Sequence, residues 1–441
     1  MCLPKQAKIA QKTSLDGGVM PSRWLISILI GFVCCGLSPA QAQDTSDVQP
    51  ATNAGMYLTT GNLLIGRTYN TATLLNNGKV LIAGGEDINS NVLSEAELYD
   101  PSTGVFTRTG GMNMPRMSHT ATLLNDGKVL VTGGNIGSAL TASAEIYDPT
   151  SETFRMISAT MTSERWFHTA THLFNGPVLI AGGGSSSASA IISAELYDPV
   201  SEKFTATGNM TTTRAEHDAV LLVNGKVLLM GGIDETNVLA SAELYDPAKH
   251  TFTLTGSMTV DRFAHTATLL NTSDVLVTGG ISGCCTRLAS AELYDPWTET
   301  FRPTSNMNVA RYSHTATLLN NGEVLISGGA NLSGSLAIGE LYDSRSATFS
   351  YTGSLQASRY SHTATLLENG NVLIAGGAGG YCTGSCSATE LYLPGTLTPS
   401  GLISLAFEPS PPCLSVGATR RFVAIGTFSL TCPQLLYHSL C

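Results

Sequence analysis

Between residues 55 and 396 the chain writes one pattern of about 49 residues seven times. The fifth copy runs Arg262-Phe-Ala-His-Thr-Ala-Thr-Leu-Leu, then Asp274 to Gly280 and a loop. It continues Ser290-Ala-Glu-Leu-Tyr-Asp-Pro296, Phe301 and Met307 before Arg311 begins the next copy. Paired glycines mark the register at Gly84 and Gly85, Gly133 and Gly134, Gly182 and Gly183, Gly231 and Gly232, Gly279 and Gly280, Gly328 and Gly329, and Gly376 and Gly377. Successive pairs lie 48 or 49 residues apart. A unit this small cannot bury its apolar faces alone, so copies must stack. A period near 50 holding four short strands is the signature of a propeller blade.

Each copy divides into strands by residue type. His-Thr-Ala-Thr-Leu-Leu reads as an innermost strand, its side chains small because strands from all blades converge at the axis. Asn-Gly or Asp-Gly pairs (Asn77-Gly78, Asp126-Gly127, Asn224-Gly225, Asn321-Gly322 and Asn369-Gly370) supply the positive φ of a two-residue hairpin. A continuous apolar strand follows, such as Lys79-Val-Leu-Ile-Ala-Gly-Gly85, as expected where neighbouring blades cover both sheet faces. Ala-Glu-Leu-Tyr is the third strand, ended by Asp-Pro because proline cannot donate to a ladder. Phe-Thr-x-Thr-Gly is the fourth.

The ends of the array are out of phase. Tyr57-Leu-Thr-Thr-Gly61 is a fourth-strand sequence standing before any first strand, and the last copy stops after Glu390-Leu-Tyr-Leu-Pro394. The N-terminal strand is therefore expected to complete the seventh blade and close the ring, which removes exposed sheet edges. The fold class is all-β: a seven-bladed propeller of four-stranded antiparallel blades over residues 55–396.

The glycine doublets, the Tyr of Glu-Leu-Tyr-Asp-Pro and the recurrent Arg-x-x-His resemble the Kelch repeat. All seven copies carry the pattern. The resemblance implies a binding module in most cases. Secreted galactose-oxidase-like members are copper enzymes that use two tyrosines, two histidines and a cysteine–tyrosine crosslink near the axis.

Residues 1–42 read as a secretion signal: Arg23, an apolar stretch from Trp24 to Gly36, then Ala40-Gln-Ala42 before the cut. The stretch is shorter than the roughly 20 apolar residues of a membrane span, so no membrane insertion is expected after cleavage. Met20 is an alternative start to Met1. Cys34 and Cys35 lack the small preceding residue of a lipoprotein signal, so a secreted, periplasmic or cell-surface monomer is expected. The net charge is -10, and the leader takes Lys5, Lys8, Lys12 and Arg23 with it against Asp16 alone. An acidic chain without a basic stripe is a poor partner for nucleic acid.

Cleavage leaves Cys284, Cys285, Cys382, Cys386, Cys413, Cys432 and Cys441. In an oxidising compartment Cys382 and Cys386, four apart in one loop, are candidates for a disulfide. No paired CxxC pattern points to zinc. Residues 397–441 resemble the opening strands of a bacterial immunoglobulin-like domain, which needs about 80–100 residues to close. A truncated or frameshifted reading frame is the expected explanation of the shortfall, and a remnant of a longer multi-domain surface protein is one alternative reading of the chain.

The repeated His119, His168, His217, His265, His314 and His362 suggest metal at first sight. One per blade at one position argues instead for structure, a ring nitrogen bonding backbone at the start of each blade, with Asn70 taking that place in the first. The Arg series (Arg67 to Arg359) and the Glu series (Glu97 to Glu390) are expected to pair between blades while partly buried. Arg165, Arg311 and Arg359 are also candidates to reach a ligand, beside the variable aromatics Trp166, Phe263, Tyr312 and Tyr360 that follow an arginine. These crossovers share a face with the variable loops between second and third strands, where recognition residues usually sit. Glu216 and Asp218 flank His217 where other copies have uncharged residues, a weak candidate for a cation. Copper ligands do not transfer residue by residue, and there is no nucleophile elbow. The sequence therefore points to a binding or scaffold module for a cell-surface protein or polysaccharide, with no cofactor implied. A divergent copper oxidase is the alternative.

Overall fold

The computed structural model describes residues 55–397, except 187–188, 284 and 381, and the backbone of three strands beyond them. In the first blade the strands are Thr71–Leu74, Val80–Ala83, Ala96–Asp100 and Val105–Arg108, paired antiparallel in that order. The fourth blade repeats this with Asp218–Leu221, Val227–Met230, Ala242–Asp246 and Thr251–Leu254. The seventh uses Thr363–Leu366, Val372–Ala375 and Glu390–Leu393, and its outer strand is Met56–Thr59 from the N-terminal end. Tyr57 stands opposite Tyr392 in that closing ladder. The innermost strands touch their neighbours in sequence all the way round, first blade to seventh and back to the first. Seven blades and the closure by the N-terminal strand are thus as the sequence implies.

The second strand of every blade is buried at all four positions. Its side chains alternate between two interfaces. Leu228 and Met230 of the fourth blade, for example, pack with Val275, Val277 and Tyr294 of the fifth. Burying a side chain of this size contributes about 1.5–3 kcal/mol, so each blade is stabilised largely by its neighbours. The third-strand tyrosines are buried completely, and Tyr147, Tyr245 and Tyr294 meet Thr109, Thr207 and Thr255 of the preceding blade at 2.8–2.9 Å.

The arginine and glutamate series form a clamp inside each blade. Arg214 donates to the carbonyls of Gly231 and Ser241 at 2.9 and 3.0 Å, and to Glu243 at 2.8 Å. Glu243 also accepts the backbone N–H groups of Thr211 and Thr212. The crossover arriving from the previous blade is thereby tied to the second and third strands of the blade it enters. All seven arginines are fully buried, not partly, because the crossover folds over them. Charge-assisted bonds of this kind are strong, and the buried charge tolerates no loss of partner.

Three further strands, Leu402–Glu408, Val423–Phe428 and Gln434–Leu436, form an antiparallel sheet. Their side chains lie outside the described residues, as does the expected signal segment. The immunoglobulin-like reading of residues 397–441 rests on sequence alone. Cys386 is buried and disulfide-bonded, and the Cys382 side chain lies outside the described residues.

Candidate functional site

Six crossovers end Arg-x-x-His and the first ends Arg67-Thr-Tyr-Asn70, and the two intervening residues define the loop face. The first of them forms a backbone bridge to the loop after the second strand: Trp166 with Gly184, Phe263 with Ile281, Tyr312 with Ala330 and Tyr360 with Ala378. Crossovers and variable loops therefore share one face. The four aromatics are half-buried there. Tyr312 lies beneath the guanidinium of Arg287, 5.6 Å from its ring centre, on the loop of the preceding blade. Arg165, Arg311 and Arg359 do not reach this face. Each is at 0% exposure and spends its guanidinium on Glu195, Glu340 or Glu390, so the ligand-contact role expected for them narrows to the aromatics.

The second intervening residue builds a feature that sequence reading passed over. Tyr69, Ser118, Phe167, Glu216, Ala264, Ser313 and Ser361 all take positive φ, between 48° and 55°. The N–H of six of them donates to the carbonyl of its counterpart one blade earlier, from Ser118 to Tyr69 through to Ser361 to Ser313, at 3.0–3.4 Å, and the Thr68 hydroxyl meets the Ser361 carbonyl at the closure. Non-glycine residues held in this region carry strain of about 1–3 kcal/mol and cluster at functional sites. The result is a ring of seven residues around the axial mouth. Because ring closure brings distant copies together, Tyr69 and Phe167 meet edge to face, 6.1 Å between centres, and Trp166 packs on Phe167 at 4.8 Å. The Tyr69 hydroxyl is hydrogen-bonded to the Ser361 side chain, and its burial raises it to about 12. The only signal in the sequence was that this position varies while Arg and His beside it do not.

Below the ring, histidines stitch blades together. The Nε2 atoms of His119, His168, His217, His314 and His362 lie 3.0–3.1 Å from Thr71, Thr120, Thr169, Thr266 and Thr315 of the preceding blade. The partner is a threonine hydroxyl, not the backbone expected from sequence. Burial drives these imidazoles far below 6.5, with His119 at about 3. Asn70 makes only a long bond to the Thr71 carbonyl, at 3.5 Å, and lacks the stitch.

The fourth blade departs from this frame at neighbouring positions. Asp218 stands where the others have threonine, and its carboxylate accepts the N–H groups of Ala219 and Ala267, both at 2.8 Å. His265 is left with neither ring nitrogen partnered at 8% exposure. No described residue gives the Glu216 carboxylate a hydrogen bond or an ion pair, and burial alone raises it to about 7; burial raises Asp218 to about 6.

A closed ring of seven four-stranded blades, with this arginine–glutamate–glycine frame and its variable loops on one face, is a seven-bladed β-propeller. The Kelch motif family matches residues 116–160, 219–259 and 263–308. Among solved structures, a fungal alcohol oxidase of the AA5 family, in complex with copper, superposes with a TM-score of 0.65 at 18% identity. The match covers 85% of this chain and 84% of that one, and at this identity it carries the fold alone. No curated protein matches the chain.

The axial mouth does not fit copper. Its ring holds Tyr69, bonded to Ser361, and the Glu216 carboxylate, while five of the six repeated histidines bond threonine inside the seams. His172 bonds the Gly176 carbonyl and His250 sits by Tyr245, both at the far ends of their strands. Among the described residues no three His, Cys, Asp or Glu side chains gather as a metal site.

Proposed function

We propose that this is an exported Kelch propeller acting as a binding or scaffold module, which takes a cell-surface protein or polysaccharide at its loop face. The observation that carries the reading is the aromatic mouth: Phe167 in contact with both Tyr69 and Trp166, with Tyr312, Tyr360 and Phe263 half-buried on the same face. Half-buried aromatics supply large contact area at low entropic cost and dominate recognition surfaces. The loops beside them differ from blade to blade, as recognition elements on a rigid scaffold do. Fold by itself does not assign function, so the likeness to an oxidase adds no chemistry here.

The test is binding of the purified full chain to an array of polysaccharides and cell-envelope fractions. Trp166→Ala and Tyr312→Ala are expected to weaken a saturable hit while leaving the melting temperature within a few degrees. Unfolding by both substitutions, or binding untouched by either, removes the loop-face assignment.

A further inference from the structure

Both faces of the propeller carry acids, but they differ in their cations. Among the described residues Lys79, Lys128, Lys226 and Lys249 sit on turns of the face away from the loops, and Lys203 opens a fourth strand there, alongside acids such as Asp126, Glu152, Asp246 and Glu299. The loop face carries Glu86, Asp87, Asp234, Glu235 and Asp261, and among the loops between second and third strands Arg287 is the one basic residue described. At the centre of that face the Glu216 carboxylate stands in the seven-residue ring with Tyr69 and Phe167, close enough to Tyr69 to act on it electrostatically. It has no donor and no counter-charge among the described residues. His265, in the seam that Glu216 and Asp218 border, is a second unsatisfied polar group, more than nine-tenths buried. Buried polar groups are ordinarily paired, and an unpaired one needs a reason.

Aromatic faces carry a negative quadrupole and attract ammonium groups within about 6 Å of the ring centre. A carboxylate beside them adds charge and a hydrogen-bond acceptor. A single carboxylate beside aromatic faces suits a point charge. The side chain of lysine has that form, an ammonium on a flexible four-carbon chain. The planar fork of arginine is best met by two acceptors side by side.

Resting on the loop-face reading above, we propose that the axial mouth is a lysine receptor: a lysine side chain of a protein partner enters between Tyr69, Phe167 and Trp166 and pairs with Glu216. The acidic loops attract the basic segment that carries it. The half-buried carboxylate, without a hydrogen bond or ion pair from any described residue, receives from the ligand the charge partner that the fold does not provide.

The experiment is titration calorimetry of the full chain with a decalysine peptide, its fully Nε-acetylated form, decaarginine and a glucosamine oligomer. Decalysine is expected to bind, acetylation to abolish binding, and Glu216→Gln and Phe167→Ala each to weaken it at least tenfold with the melting temperature retained. The Gln variant keeps the shape of the side chain and removes only its charge. Equal binding of decaarginine, or decalysine binding unchanged in Glu216→Gln, marks general attraction to an acidic face and overturns the receptor. Preference for the glucosamine oligomer overturns the protein source of the ammonium. A polysaccharide or envelope ligand lost in Trp166→Ala but indifferent to Glu216→Gln leaves the loop-face reading standing and this one refuted. Loss of neither in Trp166→Ala refutes both.

Discussion

Six imidazoles locked neutral inside the seams make this propeller sensitive to mild acid, and the size of the effect follows from their positions. His119, His265 and His362 are held at about 3 by burial and by the neighbouring arginine, and His168, His217 and His314 are held well below 6.5. Their folded values lie beneath the unfolded one, so the native state binds fewer protons and stability falls as pH drops through 6.5. At pH 5 an unfolded imidazole is almost wholly protonated, which costs the native state about 2 kcal/mol per histidine, for any folded value below about 4. His119, His265 and His362 together amount to about 6 kcal/mol, and His168, His217 and His314 act in the same direction. Glu216 and Asp218 act in the opposite sense, because their folded values, about 7 and about 6, lie above the unfolded ones. Acidification from pH 7 to 5 returns about 3–4 kcal/mol through them. Asp100, Asp198 and Asp295 are held below the usual carboxylate value by turn hydrogen bonds and do not titrate in this window. The net loss is at least about 2 kcal/mol, a sizeable part of a typical domain's stability. Urea denaturation followed by tryptophan fluorescence at pH 7, 6 and 5 reads it directly. The midpoint is expected to fall below pH 6. A midpoint constant from pH 7 to 5 would refute the assignment of these histidines as buried and neutral.

Other expectations rest on single sites. In Gly182→Ala the new Cβ would stand 2.5 Å from the Arg214 carbonyl and 2.7 Å from His217 Cε1, at a φ of +62°. Strain and overlap together are expected to cost about 3 kcal/mol, seen as a lowered urea midpoint. Arg214→Met should cost about 3–5 kcal/mol by stranding Glu243. Adding Glu243→Leu should fail to restore stability, because the carbonyls of Gly231 and Ser241 and the N–H groups of Thr211 and Thr212 lose their partners too; recovery in the double variant would show that the pair alone matters. His265→Leu is expected to be less harmful than His119→Leu by about 1–2 kcal/mol, since His119 gives up its bond to Thr71 and His265 has none to lose. Thermal denaturation of the two variants side by side decides it.

The repeat by itself determined the blade count, the strand order within each blade and the closure through Met56–Thr59, because each depends on local pattern and on where that pattern is out of phase. It also placed Trp166 and the variable loops on a common face, since strand direction alternates and fixes which connections lie together. Burial of the arginines was less legible. A charged residue of constant type reads equally as a frame or as a ligand contact, and only packing shows that the crossover folds over Arg165, Arg311 and Arg359 and turns them inward to glutamate. Least legible was the axial ring. Tyr69, Phe167 and Glu216 lie in different copies, 49, 98 and 147 residues from one another, and each taken alone is an ordinary variation at one position of the repeat. They become a site because closing seven blades into a circle brings equivalent positions of every copy to one axis, a proximity set by the symmetry of the assembled ring and carried by no local stretch of chain.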